Sequence, residues 1–299
     1  MAFSKFLDPK FDLPFKRVFG TEKNKNILIH FLNDILGFTG VNTIQDVKFL
    51  STIMDPEIAS DKQSIVDVLC KDSHGNRYIA EMQLARDKGF EKRAQLYAAK
   101  AYSRQSGNYI DFKKVFFIAI SNSTLFPTEV EYISTHNIRD IKTNGHYLKD
   151  FQFVFIELPK FAKNKVEQLE STIERWCFFF KYAEDTTDED LKDIAEKSPI
   201  IKLAYDELDK FSWEEEDLAA YEERVLSVQK EAAIWEQRLD DATEKGIQIG
   251  HQKGREEGEK QAKIAVAKNL LKAGVSTDIV VQTTGLTVNE VKDLSSLGV

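Results

Sequence analysis

Residues 64–83 read SIVDVLCKDSHGNRYIAEMQ, two apolar runs joined by a polar turn, with one acid inside each run. Asp67 stands among Ile65, Val66, Val68 and Leu69, and Glu81 lies between Ala80 and Met82. The turn DSHGN supplies Gly75 for a positive-φ position. In a strand, residues two apart share a face, so Ile65, Asp67 and Leu69 are expected on one side of the first strand, and Ile79, Glu81 and Gln83 on one side of the second. A hairpin symmetric about His74 sets Asp67 opposite Glu81. Directly opposed side chains have Cβ atoms about 4.5–5.5 Å apart. Two carboxylates so placed in a partly apolar setting repel each other, and a proton or a cation between them relieves the repulsion. Mg²⁺ suits such a pair, since it is commonly held by one or two carboxylates plus water and phosphate oxygens. A single acid in a strand is more often exposed or ion-paired. The opposed pair, with Gln83 on the same face, favours a site, provided the register does not slip by one residue.

The next segment, KGFEKRAQLYAAKAYSRQSG (88–107), is expected to form a helix closed by Gly107. Arg93, Tyr97, Lys100 and Arg104 fall on one face of it. A cationic stripe there could meet the charge of a phosphodiester, although a solvated helix face has the same spacing.

With 42% hydrophobic and 30% charged residues among 299, the composition is that of a protein with a packed core. The net charge of -8 is unevenly distributed. Residues 1–183 hold 26 basic against 22 acidic side chains, residues 184–217 hold 4 against 14, and residues 218–299 hold 11 against 13. The first part can therefore approach a polyanion that the acidic block would repel. No run approaches the roughly 18 apolar residues of a membrane span. MAFSKFLDPK is charged from the start and has no apolar signal core. Cys70 and Cys177 read as small buried hydrophobes rather than a disulfide framework. A cytoplasmic location without membrane association is expected.

Elsewhere, Ile27, Leu28, Phe31, Leu32, Ile35 and Leu36 repeat at helical spacing behind Pro14 and end at Gly37, with a break near Gly20. Strands are expected at VKFLST (47–52), Ile65–Cys70, Arg77–Gln83, KVFFIAIS (114–121) and FVFIEL (153–158). The order α-β-β-β-α-β-β implies an α/β fold, a mixed sheet with helices against it. Beyond Pro159 only helices are expected. WCFFFKYA is too aromatic to stand in water and packs either on the core or on a partner. EKGIQIGHQKGREEGEK carries glycines at 246, 250, 254 and 258, read equally as a polar linker or as a helix whose bare stripe admits another helix. LLKAG, TDIVVQTTG and TVNEVKDL read as a helix-turn-helix. Its last helix offers Asn289, Glu290, Lys292 and Asp293, a weak phosphate contact, so a structural or oligomerising cap is favoured over DNA reading. Three regions are delimited: 1–160, a core; 161–240, acidic and helical; 241–299, the glycine-striped helix and the tail.

The element order, with Asp67 on the second strand, Glu81-Met82-Gln83 on the third and a basic helix next, resembles the PD-(D/E)XK nuclease superfamily. FLDPKFDLPFKRVFG, SIVDVLCKDSHGNRYIAEMQ, EKRAQLYAAKAYSRQSGNY and the glycine-punctuated tail resemble more closely its recombination-promoting nuclease/transposase (Rpn) family. The resemblance implies an αβββαβ core and metal-dependent DNA endonuclease activity, linked to recombination, mobile elements or defence. It makes Asp67 and Glu81 the metal-binding carboxylates, with the Met82 carbonyl as a further ligand, Mg²⁺ or Mn²⁺ as cofactor and double-stranded DNA as partner. Gln83 stands where the superfamily more often has lysine; it can orient the attacking water but brings no charge. The missing cation must then come from Lys16, Arg93 or Lys100. Asp12 and Lys16 are further candidates to join the site from the first helix, as is Tyr97 from the basic one. A homo-oligomer through the C-terminal helices is expected. The competing reading is a nuclease-like module that binds DNA or protein without cutting. A third is a toxin-like or defence protein whose tail senses a partner.

Overall fold

The computed structural model describes residues 4–54 and 64–296. Helices α1 (Asp12–Phe19) and α2 (Lys25–Leu36) open the fold. They part at Gly20, where a Cβ would lie 2.8 Å from the Lys16 carbonyl oxygen. Pro14 sits inside the first turn of α1 rather than at its first residue, and is tolerated because the N–H groups there have no helical partner. Gly37 ends α2 at φ 65°, the left-handed cap that glycine adopts without a Cβ penalty.

Among the described residues five strands precede the basic helix: β1 (Val47–Phe49), β2 (Ile53–Met54), β3 (Ser64–Ile65), β4 (Val68–Asp72) and β5 (Arg77–Gln83). Helix α3 (Phe90–Ser103) follows, then β6 (Val115–Ser121), β7 (Ile133–Ile138) and β8 (Leu148–Glu157). Six strands form one mixed sheet in the order β1-β4-β5-β6-β8-β7, while β2 and β3 pair with each other. Neighbours β5, β6 and β8 run parallel, and the outer pairings are antiparallel. This is the expected α/β class. β6 is buried at every residue, as its unbroken apolar sequence VFFIAIS requires of a parallel strand covered on both faces.

One sheet face, with Val68, Cys70, Tyr78, Ala80, Phe116, Ile118 and Ile120, shares a core with α1, α2, α4 (Thr172–Tyr182) and α6 (Pro199–Leu208). The aromatic run of α4 therefore packs on the core. Trp176 lies 5.4 Å from Phe31 and 5.9 Å from Phe19, and its indole N–H donates to Asp34 at 2.8 Å. The other face, with Leu69, Ile79, Val115 and Phe117, packs against Phe90, Ala94, Ala98 and Ala101 of α3. Alanines at three- and four-residue steps let α3 lie close to the strands.

Four strand expectations need correction. The first strand ends at Phe49, and the separate β2 follows it. β8 begins at Leu148, five residues before Phe153. β7 (ISTHNI) has no counterpart in the sequence reading: it is an edge strand, partly solvated, and its polar Thr135, His136 and Asn137 hide the pattern. The run Ile65–Cys70 is not one strand but breaks at Asp67. Val66 and Leu69 both join the α3 side of the core while Val68 joins the other, so side-chain alternation does not carry through Asp67.

After α4 come α5 (Asp188–Lys197), α6 and α7 (Glu215–Lys272), then α8 (Thr277–Thr284) and α9 (Val288–Ser296). The chain divides into two compact units, residues 1–225 and 226–299, with α7 continuous through the division. α7 is helical through all four glycines, and a Cβ added at any of them would meet nothing within 4 Å. In the second unit Ala267, Val280, Leu286 and Val291 form a small core, and Gly274 and Gly285 turn the chain at φ 80° and 68°. Glu290 accepts from the Thr287 N–H at 2.9 Å and pairs with Lys260 at 3.1 Å, so it caps its own helix. No helix among the described residues is long and apolar enough to cross a membrane.

Candidate active site

Val68 pairs with Ala80, Leu69 with Ile79, Cys70 with Tyr78 and Lys71 with Arg77. Each pair is equidistant from His74, and Gly75 takes φ 87° in the connecting turn. The same register, carried one residue further, sets Asp67 against Glu81. In place of a regular ladder, side chains close the end of the hairpin. The Asp67 carboxylate accepts from the Met82 N–H at 2.8 Å, and the Glu81 carboxylate accepts from the Asp67 N–H at 3.1 Å. Each acid thus clamps the other's strand with one oxygen. The clamp accounts for the break at Asp67, whose peptide N–H serves a side chain rather than a backbone carbonyl.

Glu81 is 6% exposed and the Asp67 side chain 17%. Burial pushes both carboxyls above the ordinary range. For Asp67 the Met82 N–H opposes the shift, while the charge and hydrogen-bonding contact of Asp12 add to it. For Glu81 the Asp67 charge is the next largest cause after burial, opposed by the Asp67 N–H, Arg93 and Lys16. Two acids held close against their own repulsion and against desolvation are a donor set suited to a hard divalent cation. Among the described residues no group of three or more His, Cys, Asp or Glu side chains is arranged to hold a metal ion. An ion here would complete its shell with peptide, water or phosphate oxygens. The Met82 carbonyl is such an oxygen. Its N–H points to Asp67, and the neighbouring Gln83 carbonyl points the opposite way, to the Asn122 N–H at 2.9 Å. Adjacent residues of a strand alternate in this respect, so the Met82 carbonyl faces the Asp67 side.

Of the candidates from the first helix, Lys16 bridges Asp12 at 2.8 Å and Asp67 at 4.0 Å, which brings both to the acid pair. From α3, Arg93 donates to the Gln83 side-chain carbonyl and to Asp87 at 2.6 Å. Tyr97 lies beneath Arg93, its hydroxyl pushed up by burial and by the charge of Glu81. Lys100 lies two turns along the same helix from Arg93. Arg104, at the far end, donates to the Ile53 carbonyl at 3.3 Å beside β2. The basic stripe is therefore divided: Arg93 and Tyr97 stand beside the acids, while Arg104 reaches β2. Gln83 was expected to hold water, but its carbonyl meets Arg93 and its amide N–H₂ donates to the Ala85 carbonyl. Asp87 escaped the sequence reading. Its only signal is the DKG turn that starts α3, where the Phe90 N–H bonds the Asp87 carbonyl at 3.3 Å.

A mixed sheet with a crossover helix, two clamped carboxylates at the carboxyl end of a central strand and cations from two helices define a nuclease-like core. The chain belongs to the family described as PD-(D/E)XK nuclease family transposase, which it matches over residues 9–236. Residues 260–296 match the C-terminal HTH domain of the Rpn/YhgA-like nuclease family. The Rpn resemblance is thereby supported at both ends of the chain, and with it a nuclease- or transposase-related function. Neither the curated proteins nor the solved structures include a significant match.

Proposed function

We propose that the protein is a metal-dependent DNA endonuclease, with Asp67 and Glu81 as the ligands of a Mg²⁺ or Mn²⁺ ion and the Met82 carbonyl as a further donor. The observation that carries this reading is the reciprocal clamp of buried Glu81 and half-buried Asp67 beside cations from α1 and α3. When bound, the ion would polarise a non-bridging phosphate oxygen and lower the pKa of the attacking water. The chain's own residues hold the two strands in register, keep water from the apolar side of the pair and present Arg93 to the phosphodiester. In the reaction the water oxygen forms a bond to phosphorus and the bond to the leaving oxygen breaks. The water loses a proton, and the leaving alkoxide gains one. Asp12 and Lys16 serve as a charge pair at the edge of the site.

The C-terminal helix-turn-helix supports a second hold on DNA, and the bare, exposed stripe of α7 supports self-association. Incubation of supercoiled plasmid with Mg²⁺, with Mn²⁺ and with EDTA tests the activity. Nicking or linearisation that EDTA stops is the expected result. DNA binding without cleavage in either ion would select the non-cutting module instead, a reading that the engagement of both ends of Gln83 and the acidic net charge favour.

A further inference from the structure

Attack on a phosphodiester adds negative charge to the reacting group, and a site with two carboxylates needs a fixed cation to meet it. Lys16 and Arg93 stand beside the pair, in different states. Lys16 is held between two acids, Asp12 and Asp67, which consume its charge. Arg93 is fixed on several sides by α3 and the strand. Its guanidinium lies over Phe90 at 4.9 Å and over Tyr97 at 5.9 Å; one arm forms an ion pair with Asp87 at 2.6 Å, a single acid where Lys16 has two, and the other arm is received by Gln83. Its Nε–H is buried without a hydrogen-bond partner, so the contacts around it do not saturate the group. Gln83 is a neutral acceptor. It fixes that arm without cancelling its charge, whereas a glutamate would cancel it.

We propose that Arg93 supplies the fixed positive charge of this site and that Gln83 is its positioning residue, not a holder of the attacking water. This deepens the nuclease reading and rests on it. The glutamine–arginine pair does from two elements what one cationic side chain on β5 would do alone.

The test is single-turnover cleavage of plasmid DNA by the full chain and four sets of variants. Arg93→Met is expected to lower the rate by about 10²-fold or more, the cost of removing one electrostatic stabiliser, with DNA affinity nearly unchanged. Gln83→Glu keeps the acceptor and adds a charge, and is expected to lose rate on the same scale. Gln83→Lys in the Arg93→Met background is expected to regain most of the rate, whereas Gln83→Lys with Lys16→Met is expected to regain nothing beyond Lys16→Met alone. The rise in melting temperature on adding Mn²⁺ is expected to persist in Arg93→Met, showing the carboxylates still in place. Arg93→Met at wild-type rate, a tolerated Gln83→Glu, or loss of the Mn²⁺ effect together with failed rescue would each overturn the assignment. A wild-type protein that cleaves in no divalent ion would overturn the nuclease reading and this inference with it.

Discussion

The β4–β5 hairpin and the long helix α7 each break a local rule, and they break it in opposite environments. The hairpin puts acids where apolar side chains pack, and the surrounding chain answers each one: N–H groups clamp the carboxylates, and Lys16 and Arg93 flank them. α7 puts glycines inside a helix and leaves Leu226, Ile234, Trp235 and Leu239 more than half exposed, and among the described residues a Cβ added at any of the four glycines would meet nothing within 4 Å. An unusual residue with partners in its own fold explains itself as a site. One without them is not explained by its own unit.

Substitutions sharpen the contrast, beginning with the largest expected effect. Asp67→Ala or Glu81→Ala should each lower metal-dependent cleavage by on the order of 10³-fold, measured on plasmid DNA with Mg²⁺. Comparable cleavage by the purified Asp67→Ala protein would move the chemistry elsewhere. Trp176→Ala should destabilise the first unit by about 3–5 kcal/mol, because it empties a fully buried site, while Leu239→Ala on α7 should stay within about 0.5 kcal/mol in denaturant titration. A large loss at Leu239 would mean that its exposure is covered in solution. Light scattering of the full chain against one ending at 240 should then show whether mass falls with the tail.

The dependence on pH should separate the two regions again. Asp67 and Glu81 have folded pKa values raised above the unfolded ones, so their contribution to stability is fully present below about pH 4, the ordinary carboxylate range, and is lost as pH rises through the raised values. Melting without metal should therefore shift down between acid and neutral pH, and added Mn²⁺ should restore more at the upper end. Asp67→Asn with Glu81→Gln should flatten that slope. Smallest of all, Gly254→Ala should stabilise α7 by up to about 1 kcal/mol through helix propensity alone. Destabilisation instead would show the stripe packed against another helix.

How much of this was legible beforehand follows from what sets each feature. The hairpin register could be read because His74 centres two apolar runs of matched length around a turn with glycine in place. Helix α2 announces itself by periodicity, α3 by its one-faced basic stripe and closing glycine, and the buried strand β6 by its unbroken apolar run. β7 did not, because a solvated edge strand needs no apolar alternation, and the break at Asp67 did not, because it arises from a side chain competing with the ladder for a peptide N–H. Gathering Asp12, Lys16 and Arg93 around the pair is tertiary, and only the resemblance of the opening segment suggested the first two. The destination of WCFFFKYA was likewise settled by packing rather than by its composition.

The central claim is that Asp67 and Glu81 are clamped together to bind a divalent ion. The most direct measurement is a crystal of the full chain soaked in Mn²⁺ and examined by anomalous scattering. The account predicts one strong peak about 2.0–2.2 Å from an oxygen of each carboxylate, the range of hard octahedral ions. No peak there, with the Lys16 ammonium or a shared proton between the two acids instead, would contradict it.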